Sequence, residues 1–265
     1  MTLLTEPTRI VLRKSWQPMD TDAAAYITAV ETADGQALEE KTKIAIDNFV
    51  LSCKADGIWT AIKASCILAG ARTLAGALVP LAGTAPTNFN FVSGDYNRKT
   101  GLVGDGSTKY LNSNRANNAD PQNNNHNTCW VSAPAIGPLM TSSDRNIGLN
   151  YMDNNNSTNT RFSSRNTVLI TNVSGTIAAG LYGHGRNSSS QILYRCPQGN
   201  GVTTQASQVP ESRNVLLYTR SDDSITFSLW SAARLAFYSI GESLDLALLD
   251  ARVTALINAF ATAIP

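Results

Sequence analysis

The chain has 265 residues, room for one large domain or for a sandwich with a small appended module. Its formal net charge is +1 and only 15% of its residues are charged, so it carries no electrostatic footprint for nucleic acid. Asn, Ser and Thr replace the missing charge, a composition suited to surfaces that pack on neighbours or face sugars.

The first residues, Met1–Pro7, lack the basic start and apolar core of a signal peptide, and the most apolar run, Ile67–Leu81, is too short to span a bilayer. The expectation is neither export nor membrane. Cys53, Cys66, Cys129 and Cys196 form no Cys-x-x-Cys pair and have no His at ligand spacing, which predicts four unpaired structural thiols and a reducing compartment.

Residues 1–19 read as an N-terminal arm. Thr8–Lys14 is β-like, with Ile10 and Leu12 on one side and Val11 on the other, followed by Trp16. An extended chain with apolar residues on both faces needs cover on both, so Ile10, Val11, Leu12 and Trp16 are candidate assembly residues. Residues 20–81 read as a module of three helices. Asp20 caps the first, which stops at Asp34-Gly35; the second runs from about Ala37 to Ala55; Ile58, Trp59, Ile62 and Cys66 stripe a third, ended by Gly70. Such a module buries little alone and should pack on the sandwich or on another copy. Residues 82–95, rich in Gly, Pro and Asn, read as a linker.

Residues 96–265 read as a β-sandwich closed by a helix. About ten short apolar runs between 128 and 240 alternate as half-buried strands do. The Asn-rich stretches 112–127 and 153–159 read as long ordered loops. From Asp245 to about Thr262, Leu249, Val253, Leu256, Ile257 and Phe260 share one helical face, and Leu256 and Phe260 join the assembly candidates in case that face meets symmetry mates.

Gly101–Asn114 divides the helical half from the β half, and Gly104-Asp105-Gly106 within it signals a tight turn between strands. Leu102-Val103-Gly104-Asp105-Gly106-Ser107-Thr108-Lys109-Tyr110-Leu111 resembles the opening strands of laminin G-like, concanavalin A-like jelly rolls of bacteriophage virion proteins. Three further segments are similar to that family: Asp56-Gly57-Ile58-Trp59, which closes a helical preamble; Gly183-His184-Gly185-Arg186-Asn187-Ser188, a mid-domain loop; and Phe237-Tyr238-Ser239-Ile240-Gly241-Glu242-Ser243-Leu244 ahead of a helix. The resemblance spans roughly residues 20–265. It implies a concanavalin A-like jelly-roll sandwich with a helical N-terminal module and a C-terminal helix, in a virion protein made in the host cytoplasm. It also implies self-association, as a homotrimer, and contact with capsid or tail proteins.

No catalytic set emerges. His126 sits among asparagines and His184 between glycines, so both read as solvated loop histidines. From Phe89 onward the only glutamates are Glu211 and Glu242, at turns or strand ends, and the Glu-x-Asp-x-x-Glu strand pattern of sandwich glycosidases is missing. There is no Gly-x-Ser-x-Gly elbow, and no helix follows Gly104-x-Gly106 to hold a phosphate. The chain is therefore expected not to be an enzyme and to need no cofactor. The resemblance leaves calcium open through Asp95, Asp105, Asp120 or Asp144, although turn formation is the better reading of each.

The remaining functional signal is aromatic. Trp130, Tyr151, Tyr182, Tyr194 and Trp230, with His184 and Arg186, are candidate glycan-binding residues, while strand alternation makes most of these rings core fillers. The expected function is capsid decoration or cementing, or a short tail fibre. A lectin-like, receptor-binding adhesin is the first alternative and a polysaccharide depolymerase the second.

Overall fold

The computed structural model describes residues 16–142, 148–167, 171–221 and 227–265. Ile10, Val11 and Leu12 lie outside these residues, as does Asp144.

Helix α1 spans Thr21–Asp34. The Asp20 carboxylate accepts from the Asp22 and Ala23 N–H groups at 2.9 and 3.2 Å, and Gly35 ends the helix at φ +64°. Helix α2 spans Glu40–Ala55, α3 is the single turn Leu74–Ala77, and α4 spans Leu246–Ala263 with Asp245 as its cap.

The strands form two large antiparallel sheets and one separate two-stranded pair. In chain order β1 is Ile62–Ile67, β2 Thr87–Phe89, β3 Tyr96–Asn97, β4 Gly101–Val103, β5 Tyr110–Ala116 and β6 Asn125–Ala133. Then follow β7 Gly137–Ser142, β8 Leu149–Asn156, β9 Asn159–Asn166, β10 Thr171–Ser174, β11 Gly180–Arg186 and β12 Gln191–Cys196. The last are β13 Gly199–Thr204, β14 Asn214–Leu217, β15 Thr219–Ser221, β16 Phe227–Trp230 and β17 Arg234–Gly241. The first sheet has the order β13-β12-β11-β6-β17-β4-β3 with β1 also on β17; the second has the order β10-β9-β8-β7-β14-β5-β2, and β15 pairs with β16. Neighbours distant in sequence, two facing sheets and a closing helix make this a concanavalin A-like jelly-roll sandwich.

Two apolar layers hold it together. One lies between the sheets, around Leu102, Met140, Met152, Phe162, Tyr182, Leu217 and Tyr238. The other lies outside the first sheet, where α1, α2 and α4 pack on Leu181 and Phe237. Phe49 of α2 meets Phe237 edge-on at 5.7 Å, and Arg252 of α4 binds the Asp56 carboxylate at 2.6 and 2.9 Å. By length and composition α4 could cross a membrane, yet here Leu249, Val253, Leu256 and Phe260 are buried in that second layer.

Several expectations change at this point. The third helix is strand β1, which pairs with β17 from Ile62 to Ile67. Its residues serve both layers, Ile62 and Ile67 facing the helices and Ala64 and Cys66 the sandwich, with a register shift between Ile62 and Ala64. A short run that is apolar on both faces cannot be told from a buried helix by periodicity. Residues 20–81 are consequently no separate module, because β1 belongs to the main sheet. The stretch read as a linker contributes β2, paired with β5. Much of both Asn-rich stretches is strand, with Asn125, Asn127 and Asn154 all buried. Some of these amides find partners within the fold: Asn125 donates to Ser164 Oγ at 3.2 Å and Asn154 to the Ala135 carbonyl at 3.1 Å. Gly104–Gly106 is a turn, but it carries the chain from β4 in one sheet to β5 in the other. The Asp105 carboxylate there accepts from the N–H groups of Ser107, Thr108 and Lys109, and Gly106 has φ +72°. All four cysteines are free and buried, as expected.

Candidate functional site

The residues singled out in the sequence do not converge. Leu256 and Phe260 are sealed inside their own chain, 2% and 0% exposed, so neither offers an assembly surface. Trp16 is half-buried. Tyr151 and Tyr182 are fully buried. The Tyr151 hydroxyl donates to Asp153 at 2.8 Å, and the guanidinium groups of Arg161 and Arg220 lie 5.7 and 5.6 Å from its ring centre. Trp130 is half-buried beneath the helices. Trp230 meets Tyr110 edge-on at 6.0 Å, and Tyr110 stacks on Phe89 at 4.2 Å, forming a half-buried aromatic column.

The loop reading of the histidines is overturned. His126 lies in β6 and His184 in β11, and both are buried. His126 Nδ1 sits 2.5 Å from the Glu242 carbonyl and its Nε2 2.7 Å from Ser239 Oγ. Burial holds its pKa down at about 4. Burial, then the nearby positive charge of Arg186, holds that of His184 down at about 3. Arg186 is also buried and reaches no solvent. It donates to the backbone carbonyls of Ser164, Gln191, Gln205 and Ala206, binding β9, β12 and the chain after β13 together. A guanidinium so engaged is a structural clamp.

The carboxylates are equally committed. Asp95 pairs with Lys109 at 2.6 Å, Asp120 with Arg115 at 2.5 Å, Asp153 with Arg161 and Asp250 with Arg195 at 2.6 Å. Glu211 pairs with Arg213 and Glu242 with Lys63, each at 3.2 Å, while Asp105 and Asp245 organise a turn and a cap. Among the described residues no group of three or more His, Cys, Asp or Glu could hold a metal.

One expected residue does border an open site. Tyr194 of β12 lines a cleft of about 570 Å³ between the β12–β13 hairpin and the start of α4. Leu193, Val202 and Leu246 give it an apolar floor; Asn187, Asn200 and Ser243 supply polar groups at the wall. Arg195 is held there by Asp250 of α4, and Tyr194 itself stacks on Phe162 at 5.8 Å. An apolar floor with polar edges can take a small hydroxylated ligand, its faces on the aliphatic groups and its hydroxyls on amide and guanidinium groups. Asn187, Leu193, Arg195, Asn200 and Val202 escaped the sequence reading, because only the meeting of the hairpin with a distant helix makes them neighbours.

No protein-family model matches the sequence, and no curated protein matches it. Solved structures do. The binding domain of botulinum neurotoxin serotype D aligns at 10% identity and a TM-score of 0.49, over 77% of this chain and 52% of that one. Domains LG4-5 of the mouse laminin alpha1 chain align at 11% identity and a TM-score of 0.37, over 63% of this chain and 47% of that one. The chain thus spans about half the length of the solved structures it matches.

Proposed function

We propose that the chain is a non-catalytic structural protein of a bacteriophage particle, decorating or cementing the capsid or forming a short fibre by self-association. The observation that carries the non-catalytic part is the commitment of its polar groups. Both histidines are buried, and every described carboxylate from Asp95 onward is held in an ion pair, a turn or a cap. General acid–base or nucleophilic chemistry needs such groups free and convergent in a groove. The particle setting rests on the sequence resemblance around Leu102–Leu111, and calcium has no part in this reading. Peptide mass spectrometry of purified particles, with antibody labelling of intact ones, tests the setting; absence from particles overturns it. Incubation with host polysaccharide tests the chemistry. New reducing ends or unsaturated sugars, lost on a single Asp, Glu or His substitution, would establish a depolymerase instead.

A second reading, a receptor-binding adhesin that recognises host glycans, is favoured by the cleft beside α4. Binding of host surface glycan that is lost in Asn200→Ala or Arg195→Ala would support it, while binding unaffected by both would remove the cleft from consideration.

A further inference from the structure

We propose that β13 is a self-association edge, through which two copies of the chain join their first sheets about a two-fold axis. Of the strands that end the paths of the two sheets, β13 is the longest, with six residues against two in β3, four in β10 and three in β2; β1, also six residues long, has its outer side bridged by Leu81 and Ala82 at Ser65. It pairs with β12 without a register shift from Cys196↔Gly199 to Gln191↔Thr204, and no described strand lies on its other side. Natural edges are usually blunted by charge, proline, a bulge or brevity. None of these occurs here: from Gly199 to Val209 there is no charged residue and no proline.

The direction of the free groups follows from the hairpin. Pro197-Gln198 is a two-residue loop closed by the Cys196↔Gly199 pair, so residues 199, 201 and 203 bond inward to β12. The same parity continues where Gln205 N–H donates to the Ser190 carbonyl and Ser207 N–H to that of Ser189, both at 2.7 Å. Asn200, Val202 and Thr204 therefore turn their backbone N–H and C=O groups to the edge. All three side chains are exposed, and Val202, at 54%, is an apolar group in water.

A second copy is the occupant these features fit. In an antiparallel self-pairing, outward residues must oppose outward residues, which leaves three central registers. Two set Val202 against Asn200 of the partner subunit or against the partner's Thr204. The third sets Val202 against the partner's Val202 and Asn200 against the partner's Thr204, matching apolar with apolar and polar with polar. The third register is favoured. A neutral strand also meets its own copy without repulsion, whereas a charged partner would find no counter-charge along it. The helices give no competing reason to associate, because the faces of α1, α2 and α4 are covered within the chain. Pairing at β13 would also bring the two clefts beside α4 together across the axis, since Val202 lines the cleft.

Sedimentation of the full chain at micromolar concentration tests this, with a two-fold assembly expected. Val202→Pro is the selective perturbation: the lost N–H points outward, so every bond to β12 remains. It should weaken assembly roughly tenfold or more while leaving the circular dichroism spectrum unchanged. Val202→Lys, which adds edge charge without touching the backbone, should act the same way and decides the matter if the proline variant does not fold. Val202→Cys should form a disulfide-linked dimer on oxidation, since paired Cα atoms about 5.5 Å apart lie within disulfide reach. A monomeric wild type overturns the proposal, as does a dimer or trimer that Val202→Lys leaves intact with no cross-link through Cys at 202.

Discussion

Acid should destabilise this protein well before its carboxylates titrate, and the two buried histidines supply the reason. Unfolded histidine titrates near pH 6.5. In the fold, burial holds His126 at about 4 and, aided by Arg186, His126 and Arg165, His184 at about 3. Both are therefore neutral in the native state at pH 5, while the unfolded chain takes up two protons. A depressed native pKa of this kind leaves stability whole above pH 6.5 and removes it as pH falls toward 4 for His126 and 3 for His184. Each unit below 6.5 costs about 1.4 kcal/mol per group, so at pH 5 each histidine costs about 2 kcal/mol and the pair about 4. That is a large share of the roughly 5–15 kcal/mol that holds a domain folded. Glu39, which its hydrogen bond to Arg98 holds down at about 2, loses its contribution only as pH falls from about 4.5 toward 2. The window between pH 7 and 5 thus isolates the histidines. Urea unfolding at pH 7, 6 and 5 measures the slope, and His184→Gln should retain about half of it whatever its stability at pH 7. A flat profile, or a slope unchanged in His184→Gln, would refute the reasoning.

Other perturbations read different parts of the fold. Phe260→Ala should cost about 3–5 kcal/mol, because its ring is fully buried and packs directly over Gly70, where an added Cβ would come within 2.7 Å of it; an unchanged urea midpoint would mean that α4 is not anchored there. Leu256→Asp should lower the melting temperature of the monomer itself, and a variant that folds normally and only dissociates would place Leu256 at an interface after all. Gly106→Val should cost more than about 1 kcal/mol, since φ +72° excludes a β-branched residue at little strain; an unchanged melting temperature would count against the turn. Arg186→Met should cost about 3 kcal/mol or more by taking the donor from the buried Ser164 carbonyl and from three part-buried ones, and a neutral result in thermal unfolding would show that water replaces the guanidinium.

The helix ends were legible because caps are local chemistry: Asp20 and Asp245 bond N–H groups two and three residues on, and Gly35 takes the left-handed turn. The sandwich was legible from alternating short runs. What stayed hidden is long-range. Gly183-His184-Gly185 looks like a loop because two glycines flank a polar residue, yet it is the middle of β11. The glycines are there for close approach: a Cβ at Gly183 would lie 2.6 Å from Thr128 Cγ2, and one at Gly185 2.3 Å from the Asn125 carbonyl. Both neighbours belong to β6, sixty residues or so away in sequence by the pairing of Gly183 with Thr128 and Gly185 with His126. Glycine that admits a neighbouring strand and glycine that allows a turn read alike until the neighbour is known. The same ambiguity hid the burial of His184 and Arg186 and turned structural residues into binding candidates. It also concealed the cleft, whose Asn200 and Arg195 acquire a role only because α4, closing the chain, returns to the hairpin and fixes Arg195 through Asp250. Function in this fold therefore has to be sought where separate elements meet at the surface, rather than in the polar residues that the sequence makes conspicuous.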